Sequence, residues 1–279
     1  MSEPVQRPDG QRPRRPTIYL ESRYRKLVRG LPQTIFWCPT CKGDRRRRVG
    51  CQPCQGFGKL TRESVQELIG RRLVPAFGAK HGAFHGAGRE DIDVLMLGQG
   101  RPFVFELQAV RQTGVDLAAI RDEIVARAEG QIELAPFVAV RRDRVAYWKE
   151  THFDKIYRAE VELGGPVTDE VLAAAAAFAG EIVQRTPQRV AHRRADLDRR
   201  RQIRVAALKR LDDARVEVRV HCQHGTYVKE WISGDEGRTT PSLASLLAVT
   251  AVCRLLDVEE ILTDEISGPR LPRALPAEA

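Results

Sequence analysis

Two cysteine hooks, Cys38-Pro-Thr-Cys41 and Cys51-Gln-Pro-Cys54, carry the most specific chemistry in the chain. Hooks at this spacing can bring four thiolates around one tetrahedral ion, and a closed four-sulfur shell marks a structural zinc rather than a catalytic one. Two disulfides or an iron–sulfur cluster would use the same sulfurs. The N-terminus, MSEPVQRPDGQRPRRP, is polar and lacks the apolar stretch of a secretory signal, so a reducing, cytoplasmic setting is expected and disulfides are disfavoured. Iron–sulfur clusters favour other spacings. The expectation is a structural zinc on Cys38, Cys41, Cys51 and Cys54. Cys222 and Cys253, alone in apolar contexts, read as core residues. Gly43 follows the first hook, and Gly56 and Gly58 the second, giving a CxxCxGxG pattern complete only at the second hook. The Arg45–Arg48 run between the hooks is either a solvated tip or a basic finger for nucleic acid.

A second constellation is acidic. In His85-Gly-Ala-Gly-Arg-Glu-Asp91-Ile-Asp93-Val-Leu-Met-Leu97, two glycines make a permissive loop, and Asp91 and Asp93 then fall on one face at strand spacing. Such carboxylates are poor core material. They could be solvated turn residues, a divalent-metal site, or a nucleophile held beside Arg89. Lys229, in Gly225-Thr-Tyr-Val-Lys-Glu230, could pair with an active carboxylate and hold it anionic, or be a plain surface lysine. Tyr157, in Lys155-Ile-Tyr-Arg-Ala-Glu-Val161, could offer a flat face to a base or be a half-buried structural ring.

These groups need a scaffold. The chain has 279 residues, 42% hydrophobic and 30% charged, close to globular averages and unlike disordered or fibrous classes. Its longest apolar run, Val171–Ala179, is far short of the roughly 20 residues of a membrane-spanning helix, so no membrane association is expected. Strands are predicted at Asp91–Leu97, Arg101–Ala109, Pro136–Arg141, Lys155–Leu163 and Arg215–Gln223, the last from its alternating valines. Helices are predicted at Glu63–Leu73, Val115–Ala128, Thr168–Phe178, Leu197–Leu211 and Pro241–Leu247, with Thr168 as an N-cap. Two strands meeting across Leu97–Gly100 break any strict alternation of strands and helices, which predicts an α+β fold.

The charge balance is +9, with 46 basic against 37 acidic side chains, and favours polyanionic partners. Between Arg185 and Arg210 ten basic residues meet two acids, Asp196 and Asp198. That run is interleaved with apolar residues and reads as a folded basic face along a phosphate backbone, with Arg185, Arg189, Arg193 and Arg194 as the candidate contacts.

Taken together, these stretches resemble the archaeal and eukaryotic tRNA pseudouridine synthase family that modifies T-loop uridines 54 and 55. The resemblance is carried by Ser22–Thr34 (SRYRKLVRGLPQT), both hooks with CQGFGKL, ESVQELIG, His85–Leu107, KIYRAEVE, Gln184–Leu197 and Gly225–Leu247, in order over about 230 residues. It implies a pseudouridine synthase fold, a central mixed and mostly antiparallel sheet flanked by helices. It also implies a catalytic aspartate at Asp91, the active-site tyrosine at Tyr157, the basic partner at Lys229, an apolar residue under the base at Leu246 or Leu247, a structural zinc and no organic cofactor. The expected division is a basic arm at 1–16, an N-terminal segment with the zinc module at 17–62 and a catalytic domain at 63–279. The family's usual N-terminal THUMP-type domain is not expected within this chain. Leu95 and Ser22 stand where Arg and Gly are common.

The implied partner is tRNA, whose target uridine must swing out of its loop, with no obligate protein partner evident. Asp91 would act as nucleophile or as the base that starts glycosidic cleavage. Tyr157 would stack on the base and help to remove the C5 proton. Other readings are pseudouridylation of another structured RNA, a catalytically silent zinc-stabilised RNA-binding protein, and a chaperone-like zinc module.

Overall fold

The computed structural model describes residues 15–192, 195–263 and 271. Alternation of apolar and polar residues builds the centre of its sheet. In β9 (Arg215–Cys222), Val216, Val218, Val220 and Cys222 are buried while the residues between them turn outward. Its neighbour β6 (Lys155–Leu163) buries Ala159, Val161 and Leu163 in the same way. The remaining strands are β1 (Ile18–Lys26), β2 (His81–Gly86), β3 (Leu95–Gln108), β4 (Ile132–Leu134), β5 (Val138–Val140), β7 (Ala179–Arg185), β8 (Asp198–Asp212), β10 (Thr239–Thr240) and β11 (Ala251–Ile261).

They form one sheet in the order β10-β7-β8-β9-β6-β11-β3-β1-β4, with β2 also paired to β3 and β5 to β1. Among the described residues the β3–β11 pairing alone is parallel, matching Asp257 to Leu95 and Val258 to Met96. The helices are α1 (Val65–Ala76), α2 (Leu117–Arg127), α3 (Asp143–Glu150), α4 (Asp169–Ala176), α5 (Gln188–Ala191), α6 (Val228–Ser233) and α7 (Leu243–Leu247). Side-chain caps start several of them: Ser64 for α1, Asp116 for α2, Thr168 for α4 and Ser242 for α7. This is the α+β architecture expected, a mixed and mostly antiparallel sheet with flanking helices. Among the described residues, no helix is long and apolar enough to cross a membrane.

Three expectations about elements are corrected. The segment 197–211 is not a helix but β8, the longest strand, because pairing with β7 on one side and β9 on the other satisfies its backbone and buries Ile203 and Val205. Those long-range ladders outweigh the helical propensity of its Arg, Gln, Ala and Leu residues. The segments 91–97 and 101–109 are not two strands joined by a turn. β3 runs unbroken from Leu95 to Gln108, and Gly98 and Gly100 mark an irregularity where the register with β1 shifts. Asp91 and Asp93 therefore lie in the turn that precedes β3, not on a strand face. β1 itself is an interior strand of the sheet, so the cysteine loop is an excursion between β1 and α1.

Candidate active site and cysteine module

The loop carrying Asp91 is held by a buried ionic cluster. Glu90 is 5% exposed, and its carboxylate accepts from Nε of Arg101 at 2.7 Å and from the hydroxyl of Tyr24 at 2.8 and 2.9 Å. Arg101 also donates to the carbonyl of Ala87, and Gln33 donates to Gly88 O and to the Tyr24 hydroxyl. Lys26, fully buried, lies 3.9 Å from Glu90 and donates to the carbonyls of Leu31, Asp91 and Ile92. Burial pulls the Lys26 ammonium below its ordinary pKa, while the charge of Glu90 opposes the shift. Gly88 sits at φ +76°, and a Cβ there would come 3.1 Å from Arg101 Nη1, so the loop passes this point only with glycine. From the far side, Arg29 donates to Asp93 O at 2.6 Å and pairs with buried Asp257 at 2.7 Å.

Three of these anchors, Tyr24, Lys26 and Arg29, come from one stretch, β1 and its continuation, and Gln33 follows closely. Sequence reading missed them, as it missed Glu90, Arg101 and Asp257. A charged residue bound for the interior looks like any surface charge until its partner is known. The one available signal was the density of charged residues in Glu21–Lys26, a strand whose residues from Leu20 to Lys26 are all buried.

So held, the Asp91 side chain is half-exposed and faces two cations, Lys229 Nζ at 3.8 Å and Arg189 Nη2 at 4.0 Å from Oδ2. Each cation is also held by a second carboxylate, Lys229 by Asp93 at 2.8 Å and Arg189 by Glu230 at 2.5 Å. Partial burial pushes the Asp93 pKa upward, but the hydrogen bond and charge of Lys229 outweigh it and hold the carboxyl below its ordinary range. Lys229 is placed by α6, which buries Trp231 and Ile232, and by Gln184 of β7, whose side chain donates to Tyr227 O and accepts from Tyr227 N, both at 2.9 Å. An open cleft of about 470 Å³ adjoins these groups, lined by Gln188, Arg189, Lys229, Glu230, Ser233 and Asp235.

Tyr157 stands on β6 opposite Val258 of β11, the residue that also pairs with Met96 of β3. Burial pushes its phenol well above the ordinary value, and the charges of Asp91 and Glu90 add to the shift, so Tyr157 carries its proton at neutral pH. Lys229 lies 3.8 Å from Asp91, and Tyr157 is near enough for the charge of Asp91 to act on its phenol. Arg89 is exposed, and no ion pair joins it to Asp91; the cations beside the carboxylate are Lys229 and Arg189 instead. Arg189 is turned toward Asp91 and Glu230, and Arg185 is paired with Asp196 at 2.6 Å, so neither projects as an unpaired cation. Arg193 and Arg194 lie outside the described residues. Leu246 is partly buried against the main core on α7, whose helical neighbours are α4 and α6, and Leu247 is fully packed.

The four hook sulfurs lie within 4.8 Å of one another and are buried. Cys38 Sγ is 3.7 Å from Cys51 Sγ, and Cys41 Sγ is 3.6 Å from Cys54 Sγ, so none is disulfide-bonded. A tetrahedron with metal–sulfur bonds of about 2.3 Å has edges of about 3.8 Å, so these thiols fit one four-coordinate ion. Both hooks end in the same way: Lys42 and Gly43 after the first and Gln55 and Gly56 after the second adopt positive φ, curling backbone around the sulfurs. The Gly58 amide donates to Cys54 Sγ at 3.2 Å, and the Arg45–Arg48 run is exposed.

Residues 19–262 match the family model described as Pus10, C-terminal. The chain is 47% identical over 246 residues to a protein of Methanothermobacter marburgensis, covering 88% of this chain and 60% of that one. It is 45% identical over 245 residues to one of Methanothrix thermoacetophila, with coverages of 88% and 53%, and 42% over 247 residues to one of Methanocaldococcus jannaschii, also 88% and 53%. All three bear the name tRNA pseudouridine synthase Pus10. The chain therefore spans between about half and three fifths of the length of these relatives. Among solved structures, a chain of a Cbf5-Nop10-Gar1 complex matches with TM-score 0.38 and 19% identity over 71% of this chain and 45% of that one.

Proposed function

This chain belongs to the Pus10 C-terminal family, and on that premise we propose that it isomerises uridine to pseudouridine in tRNA, at T-loop position 54, 55 or both. The observation that carries the reading is the placement of Asp91: a half-exposed carboxylate in a loop bolted down from beneath, facing Lys229 and Arg189 within 4.0 Å. A protein that only bound RNA would gain little from anchoring an acid against a polyanion. In the reaction the C1′–N1 bond of uridine breaks, the base turns, and a C1′–C5 bond forms. C5 then loses its proton and N1 takes one up, so the product is an isomer and no oxidant or reductant is consumed. Asp91 supplies the carboxylate that starts cleavage, as nucleophile or as base. Lys229 and Arg189 hold its charge in place. Tyr157 stacks on the base and helps to remove the C5 proton after reattachment.

Incubating a T-loop-containing tRNA transcript with the chain and tagging pseudouridine chemically is the direct check, since the product has the mass of the substrate. Tagged product in the T-loop is expected; a transcript left wholly untagged would overturn the proposal.

In the same reading the hooks hold zinc through Cys38, Cys41, Cys51 and Cys54, which would cross-link the excursion and supply no chemistry to the reaction. The purified chain is expected to carry about one zinc, by elemental analysis, and Cys51→Ala to lose it. Because the sheet's ladders do not run through the excursion, the far-ultraviolet circular dichroism of the strands should survive that loss while protease cutting within 37–60 increases.

A further inference from the structure

A second cationic cluster lies along β6 from Tyr157. Lys155 shares the face of Tyr157, being two residues away, and is displaced from it by roughly 6.6 Å along the strand. Its Nζ donates to Phe153 O at 2.7 Å and lies 3.4 Å from Nδ1 of His224. The His224 ring is stacked on that of exposed His152, with centroids 4.3 Å apart and planes 11° apart. Arg201 of β8 closes the group. Its guanidinium lies across Gly225, at φ +79°, where a Cβ would sit 3.3, 3.4 and 3.8 Å from Nη2, Nε and Cζ. Arg201 Nε is buried without a hydrogen-bond partner.

One acid, Asp154, stands beside the cluster, and its charge only partly offsets those of Lys155 and Arg201. Among the described residues neither Lys155 nor Arg201 forms an ion pair. The nearby carboxylate, Asp154, is engaged by His221 at 3.2 Å and by the His224 amide at 3.2 Å. The cost shows in the protonation equilibria: burial, with the charge of Arg101, lowers Lys155 to about 8, and burial, with the charges of Lys155, His152 and Arg201, lowers His224 to about 4. Two cations, Lys155 and Arg201, beside a single shared carboxylate and a neutral imidazole at a partly exposed site leave an excess of positive charge that can receive an anion.

We propose that Lys155, His224 and Arg201 bind a backbone phosphate of a nucleotide adjoining the uridine presented to Asp91, with the His152–His224 stack as one wall. The inference rests on the functional reading above, and its geometry is specific: Lys155 shares the strand face of Tyr157, roughly 6.6 Å along β6. Lys155 supplies a point charge, and Arg201 a planar guanidinium.

The experiment pairs protein and RNA changes in the full chain. Binding of a native tRNA is compared with that of two tRNAs in which the linkage on the 5′ or the 3′ side of the target uridine is a neutral methylphosphonate. Lys155→Gln combined with Arg201→Gln should weaken native tRNA binding about tenfold and flatten its salt dependence by about one unit of slope. Against one of the two neutral-linkage tRNAs the same variant should bind nearly as well as the wild-type chain, and Lys155→Arg should restore most of the loss on native tRNA. An equal penalty on all three RNAs would overturn the subsite. Should the double variant fail to fold, Lys155→Met and His224→Gln, taken singly through the same cycle, decide it. A wild-type chain that binds tRNA but forms no pseudouridine would defeat the functional reading alone, because the binding cycle still reports on the phosphate.

Discussion

Asp91→Asn should reduce the single-turnover rate of pseudouridine formation by at least about 10³-fold while leaving tRNA affinity within a few-fold. Asparagine has the shape of aspartate and keeps a carbonyl oxygen toward Lys229 and Arg189, so the loop need not move. What it lacks is the negative charge and the lone pair that could attack C1′ or accept a proton. Removing a charge that repels RNA phosphates should leave binding unharmed or slightly tighter. The split between lost rate and kept affinity is the diagnostic result. Wild-type turnover by this variant would eliminate Asp91 as the reacting group, and a parallel collapse of binding would show a structural role instead. Lys229→Gln tests the neighbouring charge by the same two readouts and should fall between wild type and Asp91→Asn in rate, since Arg189 remains beside the carboxylate.

Glu90→Gln should be the most damaging conservative substitution for stability. The Glu90 carboxylate is the common acceptor for Arg101 and Tyr24, and Lys26 lies 3.9 Å from it, all three side chains being buried. Removing its charge leaves two buried cations without their counter-ion, a change that costs about 3–5 kcal/mol. For a chain of this size that lowers the melting temperature by roughly 6–20 °C. The amide also presents an NH₂ group where an acceptor is needed. A double-variant cycle separates this cause from general disruption: Lys26→Met together with Glu90→Gln should cost clearly less than the two single changes added, because one uncompensated charge is removed with its partner. Strict additivity would mean that the two groups do not interact. Activity should fall as well, since Lys26 holds the carbonyls of Asp91 and Ile92.

The strands read most reliably from sequence were those with strict alternation on a half-buried face. Lys155–Leu163 is found with the bounds expected, and Arg215–Cys222 differs by one residue. The Thr168 cap opens α4 as expected. Segment 197–211 misled because arginine, glutamine, alanine and leucine suit a helix locally, whereas two neighbouring strands claim its backbone. The Asp91 turn was placed on a strand because a two-residue spacing of aspartates looks like strand alternation when nothing shows where pairing begins.

The cysteine spacing, the ordered run of motifs and the candidacy of Asp91, Tyr157 and Lys229 were legible in sequence alone, because groups proposed to chelate or react must be particular atoms and their types survive in one dimension. Tertiary structure alone decided which cations face Asp91 and what lies beneath it. Lys26 reaches across 65 positions to the Asp91 carbonyl, and Lys229 across 136 to Asp93. Arg189, read from sequence as a phosphate contact, proves to be a neighbour of the acid. The reason is electrostatic: a buried charge is stable only beside its counter-charge, and that proximity is a property of the folded chain, not of any local pattern.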